Sequence, residues 1–83
     1  MRHANSQQLR ALGRAVRRLR ERQNMGEREL ARTVGLTPRR LAAIEAGRHD
    51  PSYDVLLALA RGLRVQASEL ADRADVEAGG GDD

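Results

Sequence analysis

Cysteine, lysine, tryptophan and phenylalanine are all missing from this chain of 83 residues, and tyrosine occurs once. Without cysteine there is neither a disulfide framework nor a thiolate metal site. Without tryptophan or phenylalanine, the core must be built from aliphatic residues and alanine. The longest apolar run, residues 55–60, is far short of the ~20 residues of a membrane helix. Residues 1–10 lack the apolar segment of a secretory signal. A soluble, cytoplasmic protein is expected, with no membrane partner. β-Branched residues are few and scattered, which favours an all-α fold. A chain of this length supports one compact core and leaves little room for an enclosed substrate cavity.

The titratable residues form no catalytic pattern either. His3 and His49 lie in unrelated stretches, and no paired-histidine spacing, Ser-His-acid set or phosphate loop is visible. The glycine run 79–81 follows no strand and precedes no helix. The chain is therefore not expected to be an enzyme or to hold a metal or cofactor.

Charge is present in abundance and unevenly placed. Residues 1–40 hold eleven Arg against three Glu, a balance of +8, and residues 41–83 hold four Arg against nine acids, a balance of −5. A basic half and an acidic half fit an electrostatic footprint for nucleic acid. All fifteen basic residues are Arg. Arginine suits bidentate contacts to phosphate and guanine, although codon bias explains the preference equally well.

The most heavily punctuated stretch is 37–47, TPRRLAAIEAG. Thr37 can cap a helix, Pro38 fits its first position, and Gly47 can end it in the left-handed conformation. Leu41 and Ile44 give it an inner face, leaving Arg39, Arg40, Ala42 and Ala43 elsewhere. Such a helix suits a DNA groove. Ahead of it, Leu9, Leu12, Val16 and Leu19 mark the buried stripe of a first helix capped by Asn5 or Ser6. Its arginines off that stripe are either a solvated face or phosphate-facing. A second helix over 27–34 ends at Gly35. Beyond the RHDP loop, Ser52 caps a core helix carrying Val55, Leu56, Leu59, Ala60 and Leu63, interrupted near its end by Gly62. A weak fifth helix covers 67–73. Two short helices joined by a glycine turn, the second one basic, make a helix-turn-helix pattern.

ELARTVGL, then IEAG closing the third helix, then Pro-Ser and LLALARGL, stand at spacings that resemble the phage repressor and Cro class of XRE-type regulators. The resemblance covers residues 12–70 and implies a compact five-helix DNA-binding domain. By that likeness Thr37, Pro38, Arg39, Ala42 and Ala43 face bases, and Arg28, Arg40 and Arg48 face phosphates. Arg39 alone can make a bidentate contact to guanine. Arg20 and Glu45 match a structural ion pair. The family commonly begins its second helix with Ser-Gln, where this chain has Gly26 and Glu27. A carboxylate there opposes phosphate, so either Glu27 turns away while Arg28 makes the contact, or binding is weak.

The domain is expected over 6–74, after a frayed 1–5 and before an acidic disordered tail, 75–83. The resemblance implies a nucleoid-associated transcriptional regulator, repressor or activator, that binds a near-palindromic stretch of double-stranded DNA as a homodimer. Its interface would come from the fifth helix, the N-terminus or the edge of the fourth, with Tyr53 either contributing or packed inside. The alternative is an antitoxin or another module controlled by a small protein partner.

Overall fold

The computed structural model describes residues 5–79 as five α-helices: α1 Ser6–Arg22, α2 Glu27–Val34, α3 Pro38–Glu45, α4 Tyr53–Gly62 and α5 Ala67–Glu77. No strand occurs among the described residues. The expectations for residues 1–4 and 80–83 lie outside them. Local chemistry sets most boundaries. Asn5 Oδ1 accepts from the Gln8 amide at 2.8 Å while Gln8 Oε1 accepts from the Asn5 amide at 3.0 Å, a reciprocal box that starts α1. Thr37 and Ser52 cap α3 and α4 with their hydroxyls, while Gly26 starts α2 with no side-chain bond.

The core gathers Val16 and Leu19 of α1, Leu30 and Ala31 of α2, Leu41 and Ile44 of α3, and Leu59 and Ala60 of α4. Leu63 and Leu70 close it from the chain beyond. Burying each large aliphatic side chain stabilises the fold by roughly 1.5–3 kcal/mol. The stripe on α1 is rotated from the expected one. Leu9 and Leu12 are only half-buried, whereas Ala11 and Ala15 are fully covered. The cause is close helix approach, which selects small residues.

Gly13 is the tightest of these approaches. A Cβ built there would press on the carbonyl oxygens of Glu45 and Ile44 and lie 2.7 Å from the Glu45 carbonyl carbon. The α1 backbone thus rests directly on the end of α3. Gly62 is helical for a similar reason, since a Cβ would sit 2.6 Å from Val34 Cγ1. The left-handed stop after α4 falls instead on Arg64, at φ 61°, with the Val65 amide donating to the Ala60 carbonyl at 2.9 Å.

Three more expectations are corrected. The fifth helix does not end at Arg73, and residues 75–79 are not a disordered tail: α5 runs through Glu77 and closes at Gly79, φ 73°. Glu77 meets Arg18 at 2.7 Å and Arg14 at 3.4 Å, and Arg14 also donates to the Glu77 carbonyl at 2.9 Å. Cations at the negative end of a helix dipole extend it. Tyr53 is not packed inside; it is 71% exposed.

Candidate nucleic-acid interface

The α2–α3 unit is held by backbone bonds. Gly35 takes φ 78°, and the Leu36 amide returns to the Ala31 carbonyl at 2.8 Å, turning the chain in three residues. Thr37 Oγ1 then accepts from the Arg40 amide at 3.1 Å. Leu41 and Ile44, 0% and 1% exposed, fix the rotation of α3 about its axis. That rotation leaves Thr37, Pro38, Arg39 and Arg40 exposed on the first turn, with Ala42 and Ala43 half-buried behind them. At the far end the Arg48 amide donates to the Ala43 carbonyl at 2.9 Å across Gly47, φ 76°. A Cβ at Gly47 would lie 2.8 Å from Arg10 Cα, so α1 presses on this turn too.

Arg20 and Glu45 lock α3 to α1. Arg20 Nε and Nη2 donate to the two carboxylate oxygens of Glu45 at 2.8 and 3.0 Å, and Nη1 donates to the Met25 carbonyl at 3.0 Å. Both side chains are about nine-tenths buried. The hydrogen bond to Glu45, more than any other influence, holds the Arg20 pKa above its ordinary value, so the pair keeps its cation at every accessible pH. Glu27 adds to that effect through space. Arg28, beside it, is exposed.

Ion pairing separates two groups of arginines. On α1, Arg14 and Arg18 pair with Glu77, and Arg17 pairs with Glu21 at 3.0 Å, while Arg10 and Arg22 make no ion pair among the described residues. Among the described residues, Arg28, Arg32, Arg39, Arg40 and Arg48 stand outside every ion pair, as do Arg61 and Arg64 further along the chain. Arg40 Nη2 instead lies 3.3 Å from His49 Nε2. The α2–α3 surface thus keeps its cations available while much of α1 is neutralised internally. Arg39 and Arg40 also sit at the positive end of the α3 dipole, a placement that costs a few tenths of a kcal/mol in the free protein. A phosphate or base acceptor offsets that cost.

Sequence reasoning missed Gly13, Glu77 and His49. A glycine inside an otherwise good helix costs about 1 kcal/mol relative to alanine, which was the available signal for Gly13. Nothing local marks the other two.

An apolar groove of about 380 Å³ lies between the start of α1, α4 and α5. Leu12, Leu56, Leu70, Ala71 and Ala74 line it, with Tyr53 on its edge. No helix among the described residues is long and apolar enough to cross a membrane.

The helix-turn-helix family pattern matches residues 16–76. Among solved structures, the chain is similar to the clp gene regulator ClgR of Corynebacterium glutamicum. One ClgR structure is 26% identical over 87% of this chain and 77% of that one, with a TM-score of 0.84. A second is 25% identical over 92% and 95%, with a TM-score of 0.81. The restriction-modification controller protein C.AhdI of Aeromonas hydrophila is 29% identical over 75% and 94%, with a TM-score of 0.73. No curated protein matches.

Proposed function

The chain belongs to the XRE-type helix-turn-helix family of DNA-binding transcriptional regulators, and from that premise we propose that it is a non-enzymatic cytoplasmic regulator that binds a near-palindromic operator as a homodimer. In this reading α3 enters the major groove. Arg39 donates to a guanine, Ala42 and Ala43 contact thymine methyls, and Arg28, Arg40 and Arg48 anchor the backbone. The observation that carries it is the exposed first turn of α3, fixed at both ends, with its arginines outside every ion pair among the described residues. Few side chains there can read bases, so DNA shape and phosphate anchoring supply part of the selectivity.

The dimer assignment has its own support. One such helix spans too few base pairs for useful specificity, and a two-fold pair places two of them about 34 Å apart. An isologous interface needs a knob and a hole on one patch. Tyr53 and the groove beside it are such a pair, drawn from α1, α4 and α5. A stable interface takes about 800 Å² from each partner, roughly one-seventh of the 5713 Å² surface.

Selection of bound duplexes from a random library tests the whole reading. A symmetric enriched motif is expected; recovery of no motif overturns sequence-specific binding and favours a module controlled by a protein partner. Sedimentation equilibrium tests the interface. Ala71→Glu, at an exposed position in the groove, is expected to turn a dimer into a folded monomer. A wild-type monomer at every concentration removes the dimer, and a dimeric variant removes this surface.

A further inference from the structure

The Arg40–His49 contact specifies a protonation state. A guanidinium carries donors only, so at 3.3 Å His49 Nε2 must be the acceptor. An imidazole nitrogen accepts only when it bears no proton, which leaves His49 neutral with its hydrogen on Nδ1. The two residues come from different parts of the α3 unit. Arg40 is on the first turn, and His49 is half-buried in the loop beyond Gly47. Their contact therefore ties the start of the helix to the loop that follows it, on the surface read above as facing the DNA backbone.

We propose that Arg40 and His49 form a composite phosphodiester clamp in which His49 takes up one proton as DNA binds. The proposal rests on the DNA reading above. Solvent supplies the proton to Nε2, and no covalent bond of the DNA changes. The Arg40–His49 hydrogen bond is exchanged for two bonds to one anion, donated by the guanidinium and by the imidazolium. In the free protein, protonation of Nε2 would set two cations 3.3 Å apart. With a phosphate between them, the same two cations share one negative partner, and each bond is charge-assisted. Arg40 of α3 meets the imidazole, and the charged residues next to His49 along its loop are Arg48 and Asp50. Arg48 opposes the added charge; Asp50 favours it but is already engaged in an interaction of its own.

The sign follows from the direction of proton movement. Binding favours the protonated imidazole, so affinity is gained as pH falls and lost as it rises. His3 and His49 are the only side chains in this chain of a type that ordinarily changes charge between about pH 5 and pH 8, which makes the response assignable.

The test is the affinity of the full chain for a labelled random-sequence duplex of about 30 base pairs, measured across a salt series at about pH 8 and about pH 5.5. The wild type is expected to bind about tenfold more tightly per protomer at the lower pH, the scale of one charged hydrogen bond. Its salt slope should steepen by about one unit per protomer. In His49→Gln an amide oxygen still accepts from Arg40 but does not titrate, so the pH response should flatten; in His3→Gln it should persist. Circular dichroism at both pH values establishes that each variant is folded. A wild-type affinity independent of pH, or a full response in His49→Gln, overturns the clamp alone. Absence of binding at either pH and low salt overturns the DNA reading and the clamp together.

Discussion

Gly13 of α1 lies directly against the backbone carbonyl of Glu45 at the end of α3, with no room for a methyl group between them. Two helices that cross this closely cannot separate without disturbing the pair that Glu45 makes with Arg20. Gly13→Ala should therefore lower stability by about 1–3 kcal/mol, the usual cost of overpacking, despite alanine's better helix propensity. Thermal melting followed by circular dichroism measures it. A raised melting temperature, as at an exposed helical glycine, would contradict the close approach.

Removing the Glu45 carboxylate leaves the Arg20 guanidinium buried, with the Met25 carbonyl as its remaining bond. Glu45→Ala is expected to cost about 3–5 kcal/mol, a large share of the total for a domain of this size. Replacing both partners by apolar residues, Arg20→Met with Glu45→Leu, should recover most of that loss. The pKa of Arg20 is raised, so the contribution of its cation is present at every pH below its own titration. Alkaline melts up to about pH 10 should show no loss from this group.

Arg39 and Arg48 predict different losses. Arg39→Ala should weaken binding by about 1–3 kcal/mol and relax preference at one base position. Its melting temperature should be unchanged or slightly higher, because a cation leaves the positive end of α3. Arg48→Ala should weaken all sequences alike and reduce the salt slope by about one unit per protomer. Binding measured against an array of operator variants separates the two; equal losses on all variants for Arg39→Ala would make it a backbone contact.

Glu77 joins the end of α5 to Arg14 and Arg18 of α1, and its side chain is 17% exposed while theirs are 45% and 70% exposed. Solvent screening on the arginine side keeps the effect small. Glu77→Gln should cost about 0.5–1 kcal/mol in dilute buffer, and the difference should fade in about 1 M salt, where the Debye length is ~3 Å. Melts at the two salt concentrations check it.

These residues also mark which parts of the fold were legible in the sequence. Caps and stops were, because they are contacts between a side chain and its own nearby backbone: Asn5 with Gln8, Thr37 before Pro38, Ser52, and the left-handed Gly35 and Gly47. The length of α5 was not, because Glu77 is stabilised by arginines 59 and 63 positions earlier. Gly62 misled for the same reason: it marks a close approach to Val34, while the turn is made by Arg64. The family likeness singled out the arginines of the α2–α3 surface, but pairing among the α1 arginines depends on where α5 lies. His49 was beyond reach, since a loop histidine acquires meaning only from the guanidinium beside it.

Tyr53 has one more consequence. In a chain without tryptophan, its phenol is the only side chain that absorbs and emits appreciably in the near ultraviolet. It stands at the rim of the groove assigned to the second copy. The unlabelled molecule thus carries a single optical reporter, placed on the surface whose association is in question, in a groove that none of the arginines assigned to DNA lines. A dilution series of the free protein, read by tyrosine emission and its accessibility to a quencher, follows that surface alone.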